Sequence, residues 1–206
     1  MVEFDVVAAE NGRLVLGHSH EQIEAGAPLL DEALEFVATV APPEVGVDLD
    51  LKWYGFEEEI VRSLQRHGLL ERALASSFFP ESLRTLRRLE PALRTGISYP
   101  WDRHGLSEWR LLKPLVWTGA AALRWTLPHR IAAMAAAAEV TSAMLHYSVL
   151  SGTTVERCHA LGLSVFVWTV DERGLLERVL ATGVDGVISN DPRIFDGGEE
   201  RHGERR

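Results

Sequence analysis

Seven short runs of apolar or β-branched residues alternate with helix-like segments along most of this chain, and that alternation restricts its architecture more than any other feature. The runs are "VEFDVVA", "VGVDLDLK", "RALASSF", "RTGISYP", "SAMLHYS", "SVFVWTV" and "DGVISND". Between them lie "LLDEALEFVATV", "YGFEEEIVRSLQRHGL", "PESLRTLRRL", a long region from 105 to 140, "TTVERCHALGL" and "RGLLERVLATGV". These segments carry apolar residues at helical spacing, as at Ile60 and Leu64, with Leu69 beyond the helix end. Gly68, Gly162 and Gly183 stand where helices stop. Strands alternating with helices of this length build βαβ units on a parallel sheet. One exception opens the chain: "EFDVVAAENGRLVLGH" turns at Asn11-Gly12 and returns as a hairpin. Without that returning strand the parallel count is seven, one short of a (β/α)8 barrel.

Composition narrows the partners. In 206 residues the hydrophobic fraction is 46%, enough for a substantial core. A formal charge of -9 with no basic stripe excludes a nucleic-acid surface but leaves phosphate-bearing small molecules open, because one local cation outweighs a negative average. The single cysteine, Cys158, cannot form an internal disulfide and reads as a small buried apolar residue on a helix. No basic and apolar leader is present at the start, so the expected location is cytoplasmic. The most apolar stretch, 111 to 140, is interrupted by Lys113, Pro114, Arg124, Pro128, His129 and Arg130 and is too broken to span a bilayer. Residues 1–195 read as one domain, and the polar, Gly-rich 196–206 as a disordered tail.

Residues at i and i+2 of a strand share a face. Glu3 and Asp5 therefore point the same way, as do Asp48, Asp50 and Lys52. Charge inside a barrel is costly unless paired or metal-bound, and it is tolerated best at the C-terminal mouth. Two strands rich in carboxylates make a hard-oxygen site suited to Ca2+ or Mg2+. Spacing alone is equally compatible with carboxylates neutralised by Lys52 and nearby arginines. His18, just past the hairpin, hangs over the same mouth as a general acid or base, or is simply solvated.

"VEFDVVAAENGRLVLGH" followed by "DLDLK" resembles the glycerophosphodiester phosphodiesterase family. The likeness continues through "SSFFPESLRTLRRLEP" and ends in "GLSVFVWTVDERGLLERVLATGVDGVISNDP". It implies an α/β TIM (β/α)8-type barrel of the PLC-like phosphodiesterase kind, hydrolysing glycerophosphodiesters to an alcohol and glycerol 3-phosphate with a divalent cation. Carried over to this chain, it makes Glu3, Asp5 and Asp50 metal ligands, Lys52 a phosphate contact and His18 catalytic. Trp168 falls beside the glycerol end of the substrate; an indole on a buried strand is equally often core. Weaker candidates are Asp48, deeper on the same face, and His146 on "SAMLHYS".

The sequence also departs from the family. Ser19 replaces an Asp after the histidine, and Asp50 is one methylene shorter than the usual Glu. The family's opening strand with His-Arg-Gly and its following helix have no counterpart here; together they would take roughly 25 to 30 residues. The expectation is a barrel lacking its first βα unit, with unpaired edges on "VEFDVV" and "DGVISN" that invite oligomerisation. One histidine short, the chain reads either as an enzyme or as a phosphodiester-binding relative without turnover. Residues 101–140 form a Trp-rich excursion, with Trp101, Trp109, Trp117 and Trp125 beside Arg110, Lys113, Arg124 and Arg130. It is a barrel helix with a core-filling extension, a substrate lid, or an element resting on a membrane surface, the last two favouring lysophospholipid-like diesters.

Overall fold

The computed structural model describes residues 1–19, 23, 26–101 and 113–195, the side chains of 113–118 excepted. Its elements follow the sequence alternation: β1 (Val2–Ala8), β2 (Leu14–Leu16), α1 (Leu30–Thr39), β3 (Val47–Leu51), α2 (Glu57–Arg66), β4 (Ala73–Ser77) and α3 (Pro80–Leu89). The second half adds β5 (Arg94–Tyr99), α4 (Lys113–Ala138), β6 (Ser142–His146), α5 (Gly152–Ala160), β7 (Ser164–Trp168), α6 (Arg173–Leu180) and β8 (Gly186–Val187). Local chemistry sets several boundaries. Pro80 enters α3 where its missing N–H costs nothing, and the Ser151 hydroxyl caps α5 by accepting the Thr154 N–H at 3.2 Å. Gly68, Gly162 and Gly183 have φ of 66°, 73° and 82°, the left-handed turn that lets each helix stop.

The eight strands form one sheet in the order β2-β1-β3-β4-β5-β6-β7-β8. Every pairing is parallel except that of β1 with β2. Neighbours in sequence are neighbours in space, the winding of a β/α barrel. Among the described residues β8 pairs only with β7, so the sheet is not closed into a ring. The expectation of two bare edges needs one correction. The returning strand β2 lies along the outer side of β1 in the register Val6↔Leu16 to Ala8↔Leu14, so only the first half of β1 lacks a ladder there.

Among the described residues, apolar side chains gather in three clusters. The largest joins β1, β3 and β4 to α1 and α2 through Val6, Leu49, Leu34, Ile60 and Leu64. A second joins β6 and β7 to α4, α5 and α6 through Leu145, Val167, Ile131, Cys158 and Val179. Between them sits a small contact of Leu83, Ile97 and Ala138. Inside the sheet, Gly96 is required because a Cβ there would lie 2.8 Å from Met144 Cγ. Leu127, Ile131, Ala135 and Ala138 line one buried face of α4, while Trp125 is 77% exposed. That face makes the later part of 101–140 a barrel helix. Trp109 and Arg110, the side chains of Lys113 and Trp117, and the tail from 196 lie outside the described residues. No described helix is long and apolar enough to cross a membrane.

Candidate active site

Parallel pairing of β1 with β3 sets Glu3 beside Asp48 and Asp5 beside Asp50. Four carboxylates thus fall in two adjacent rows on one face, at the roughly 4.8 Å spacing of neighbouring strands. Ligand oxygens of Glu3, Asp5 and Asp50 all lie within 4.8 Å of one another. Lys52 is the cation that meets them, donating to Asp5 Oδ1 at 2.6 Å and Asp50 Oδ2 at 2.5 Å. His18 Nδ1 lies 2.9 Å from Asp5 Oδ2. Six of the sequence candidates, Asp48 included, are therefore brought together.

Electrostatics show that one ammonium is too little for this cluster. Burial pushes Glu3 up to about 8, helped by the Asp5 charge. Burial also pushes Asp48 up to about 8, with Asp50 adding to it, although Asp48 Oδ1 accepts a hydrogen bond from Ser76 Oγ at 2.9 Å. Asp50 is raised by burial, which Lys52 only partly offsets. Burial works the same way on Asp5, but there Lys52 and His18 prevail and hold the carboxyl below its ordinary value. Desolvation opposes the charge on Lys52; Asp50 and Asp5 more than compensate and keep it firmly protonated.

The donor set fits a divalent cation. Asp50 Oδ1 is buried and, among the described residues, has no hydrogen-bond partner, an expensive state for a carboxylate oxygen that a hard cation would relieve. Ionising the crowded acids would become favourable with the same ion.

The remaining two candidates meet elsewhere on the sheet. β6 pairs with β7 so that His146 lies beside Trp168, their rings 4.9 Å apart. His146 Nδ1 accepts the Ser148 N–H at 3.3 Å, which puts its proton on Nε2, and burial lowers its basicity. Among the described residues no hydrogen bond or ion pair joins His146 to the carboxylates. Cys158 is buried, and burial with the Asp185 charge pushes its thiol up to about 11, so it remains a core residue.

Sequence reasoning missed several contributors. Ser76 reaches Asp48 because β3 and β4 pair Asp50↔Ser76, a register no local pattern reveals. Phe78 sets its ring edge-on to Trp168 at 6.2 Å. Trp53, Tyr54 and Phe79 crowd the rim with centroids 5.2 to 5.4 Å apart. Their signal was present: "LKWYGF" and "SSFFP" place aromatics immediately after strand ends, where a barrel mouth lies. Glu57 holds this rim in place, accepting the Gly55 N–H on both oxygens at 3.1 and 3.0 Å and the Ser82 hydroxyl at 2.5 Å.

Residues 20–194 match the model of the glycerophosphoryl diester phosphodiesterase family. A glycerophosphodiester phosphodiesterase of Caldanaerobacter subterraneus subsp. tengcongensis is 30% identical over 141 residues, covering 68% of this chain and 48% of that protein. A probable glycerophosphodiester phosphodiesterase 2 of Mycobacterium tuberculosis is 28% identical over 171 residues, covering 82% and 59% respectively. The chain thus spans about half the length of these curated relatives. In fold it is similar to an Oleispira antarctica phosphodiesterase solved in complex with the product sn-glycerol-3-phosphate, at TM-score 0.63 and 22% identity over 91% of this chain and 80% of that one.

Proposed function

Since the chain belongs to the glycerophosphoryl diester phosphodiesterase family, we propose that it hydrolyses glycerophosphodiesters to an alcohol and glycerol 3-phosphate, with Ca2+ or Mg2+ held by Glu3, Asp5 and Asp50. The observation that carries this reading is the buried oxygen of Asp50, without a hydrogen-bond partner among the described residues, within a carboxylate cluster that Lys52 does not neutralise. When bound, the cation would polarise phosphoryl oxygens and balance their charge.

The chain's own groups supply the rest. Lys52, protonated and pinned between two carboxylates, offers its third hydrogen to a phosphate oxygen. His18 Nδ1–H donates to Asp5, which fixes the ring and leaves the Nε2 lone pair to take a proton from the water that attacks phosphorus as the bond to the alcohol oxygen breaks. The imidazolium so formed then returns a proton to the departing alkoxide. Trp168, walled by Phe78 and His146, gives the carbon skeleton of glycerol an apolar surface.

The test is release of glycerol 3-phosphate from sn-glycero-3-phosphocholine with added Ca2+ or Mg2+, before and after chelation. Activity should vanish on chelation and return with the cation. Replacing His18 with Ala should lower kcat about 100- to 10,000-fold. Turnover that ignores the chelator would remove the metal assignment. A second reading draws on the separation of His146 from the cluster: a relative that binds the diester without cleaving it. Cation-dependent binding of glycerol 3-phosphate with no turnover would establish it.

A further inference from the structure

A cavity of about 670 Å³ opens around the C-terminal end of β5, between the start of α3 and the exposed flank of α4. Alternation along β5 puts Ile97 and Tyr99 on its helix side and Ser98 on the opposite face. Phe78, Leu123 and Met134 continue the apolar wall. Set into that wall are the Ser98 and Tyr99 hydroxyls, the His129 imidazole and the Arg130 guanidinium. No aspartate or glutamate stands among the described residues of the lining. In a chain of formal charge -9, that makes the cavity a local positive site apart from Lys52.

Two of these groups have polar capacity left unused. Arg130 meets no carboxylate among the described residues. It donates to Tyr99 Oη at 3.5 Å, a long bond that leaves most of its N–H groups without a partner there. Ser98 is only 6% exposed, yet its hydroxyl has no hydrogen-bond partner among the described residues. A buried hydroxyl in that state favours an incoming polar atom.

We propose that this cavity is a second binding site, distinct from the carboxylate cluster, for a monocarboxylate carried on an aromatic body. Each part of the occupant follows from the lining. A guanidinium fork matches the two oxygens of a carboxylate. One permanent cation balances one charge; a phosphate monoester would bring up to about two and leave the excess uncompensated against apolar walls. The rings of Phe78, Tyr99 and Trp101 and the Met134 thioether suit a flat apolar body. The volume is about four times the roughly 150 Å³ that holds a benzene, so two fused rings enter with room to spare. Phe78 also packs on Trp168 at 6.2 Å, so the two sites are neighbours divided by one ring. The assignment stands on these side chains alone and not on the phosphodiester reading.

The test titrates the full chain with sodium 2-naphthoate and reads binding by calorimetry. The uncharged methyl ester should bind at least tenfold more weakly, and Arg130→Gln should weaken the carboxylate at least tenfold. Ala133→Phe, which fills the cavity from an exposed position of α4, should weaken it by a similar factor. Excess sn-glycero-3-phosphocholine with Ca2+ should leave the naphthoate bound. Absent binding at millimolar naphthoate, equal affinity for acid and ester, or either variant without effect overturns the proposal. So does complete displacement by the diester, which would put the naphthoate at Lys52. A chain that hydrolyses diesters and ignores naphthoate loses this site and keeps the proposed activity. One that binds naphthoate through Arg130 without hydrolysis does the reverse.

Discussion

A carboxylate oxygen buried without a donor is stable only while something positive is close, and Asp50 Oδ1 is in that position. Replacing Asp50 with Asn should weaken cation binding by more than the roughly 10- to 100-fold typical of losing an outer partner, as calorimetry with Ca2+ or Mg2+ would record. Asp48 behaves differently, because its partner is Ser76 and its row lies deeper. Unfolded, Asp48 releases its proton near 3.8; folded, it does so only at about 8. Between those values folding takes up a proton, so stability falls as pH rises through the window, and below it both states are protonated. Asp48→Asn in chelated protein should therefore gain up to about 5 kcal/mol at pH 8 and almost nothing below pH 4, measured by denaturant melts. Much of this was legible in the sequence, since i, i+2 spacing alone put Glu3 with Asp5 and Asp48 with Asp50 and Lys52. Ser76 was not, because its role depends on how two strands align, which neither strand encodes by itself.

At the scale of elements, the loop from β3 to α2 carries Trp53 and Tyr54 and is tied down through one side chain. Glu57 takes the Gly55 N–H and the Ser82 hydroxyl, joining that loop to α3. Glu57→Ala strands a buried serine hydroxyl and a loop amide, and should cost about 2–3 kcal/mol in chemical denaturation. Strands and helices themselves were readable because each run of alternation or helical spacing is local. The lateral position of β2 was harder to read. Asn11-Gly12 announced a turn, but only the register with Val6–Ala8 shows that the returning strand covers half of the β1 edge. The Trp-rich stretch divided similarly: burial of Leu127 and Ile131 marks a barrel helix, a distinction its scattered prolines and arginines had obscured.

For the whole molecule, the sheet's two ends are its exposed liability. Met1 and Val2 are 55% and 40% exposed where, among the described residues, β1 has no ladder on its outer side. Light scattering should find species larger than the 22.9 kDa chain, and Val2→Lys should shift them toward monomer. A second feature concerns the core, which is divided. Glu3, Asp5 and Asp50 stand on strands of the first apolar cluster, with Lys52 just past the end of β3, and His146 and Trp168 stand on strands of the second. Joining the halves are the ladders of β5 and the small contact of Leu83, Ile97 and Ala138. Ile97→Ala should cost roughly 2–5 kcal/mol and let the two halves exchange their amide hydrogens independently. A molecule gripped at once by Lys52 and Trp168 would then act as a rivet across that seam. Its arrival would be felt well away from the mouth, as slowed hydrogen exchange along β5 and α3.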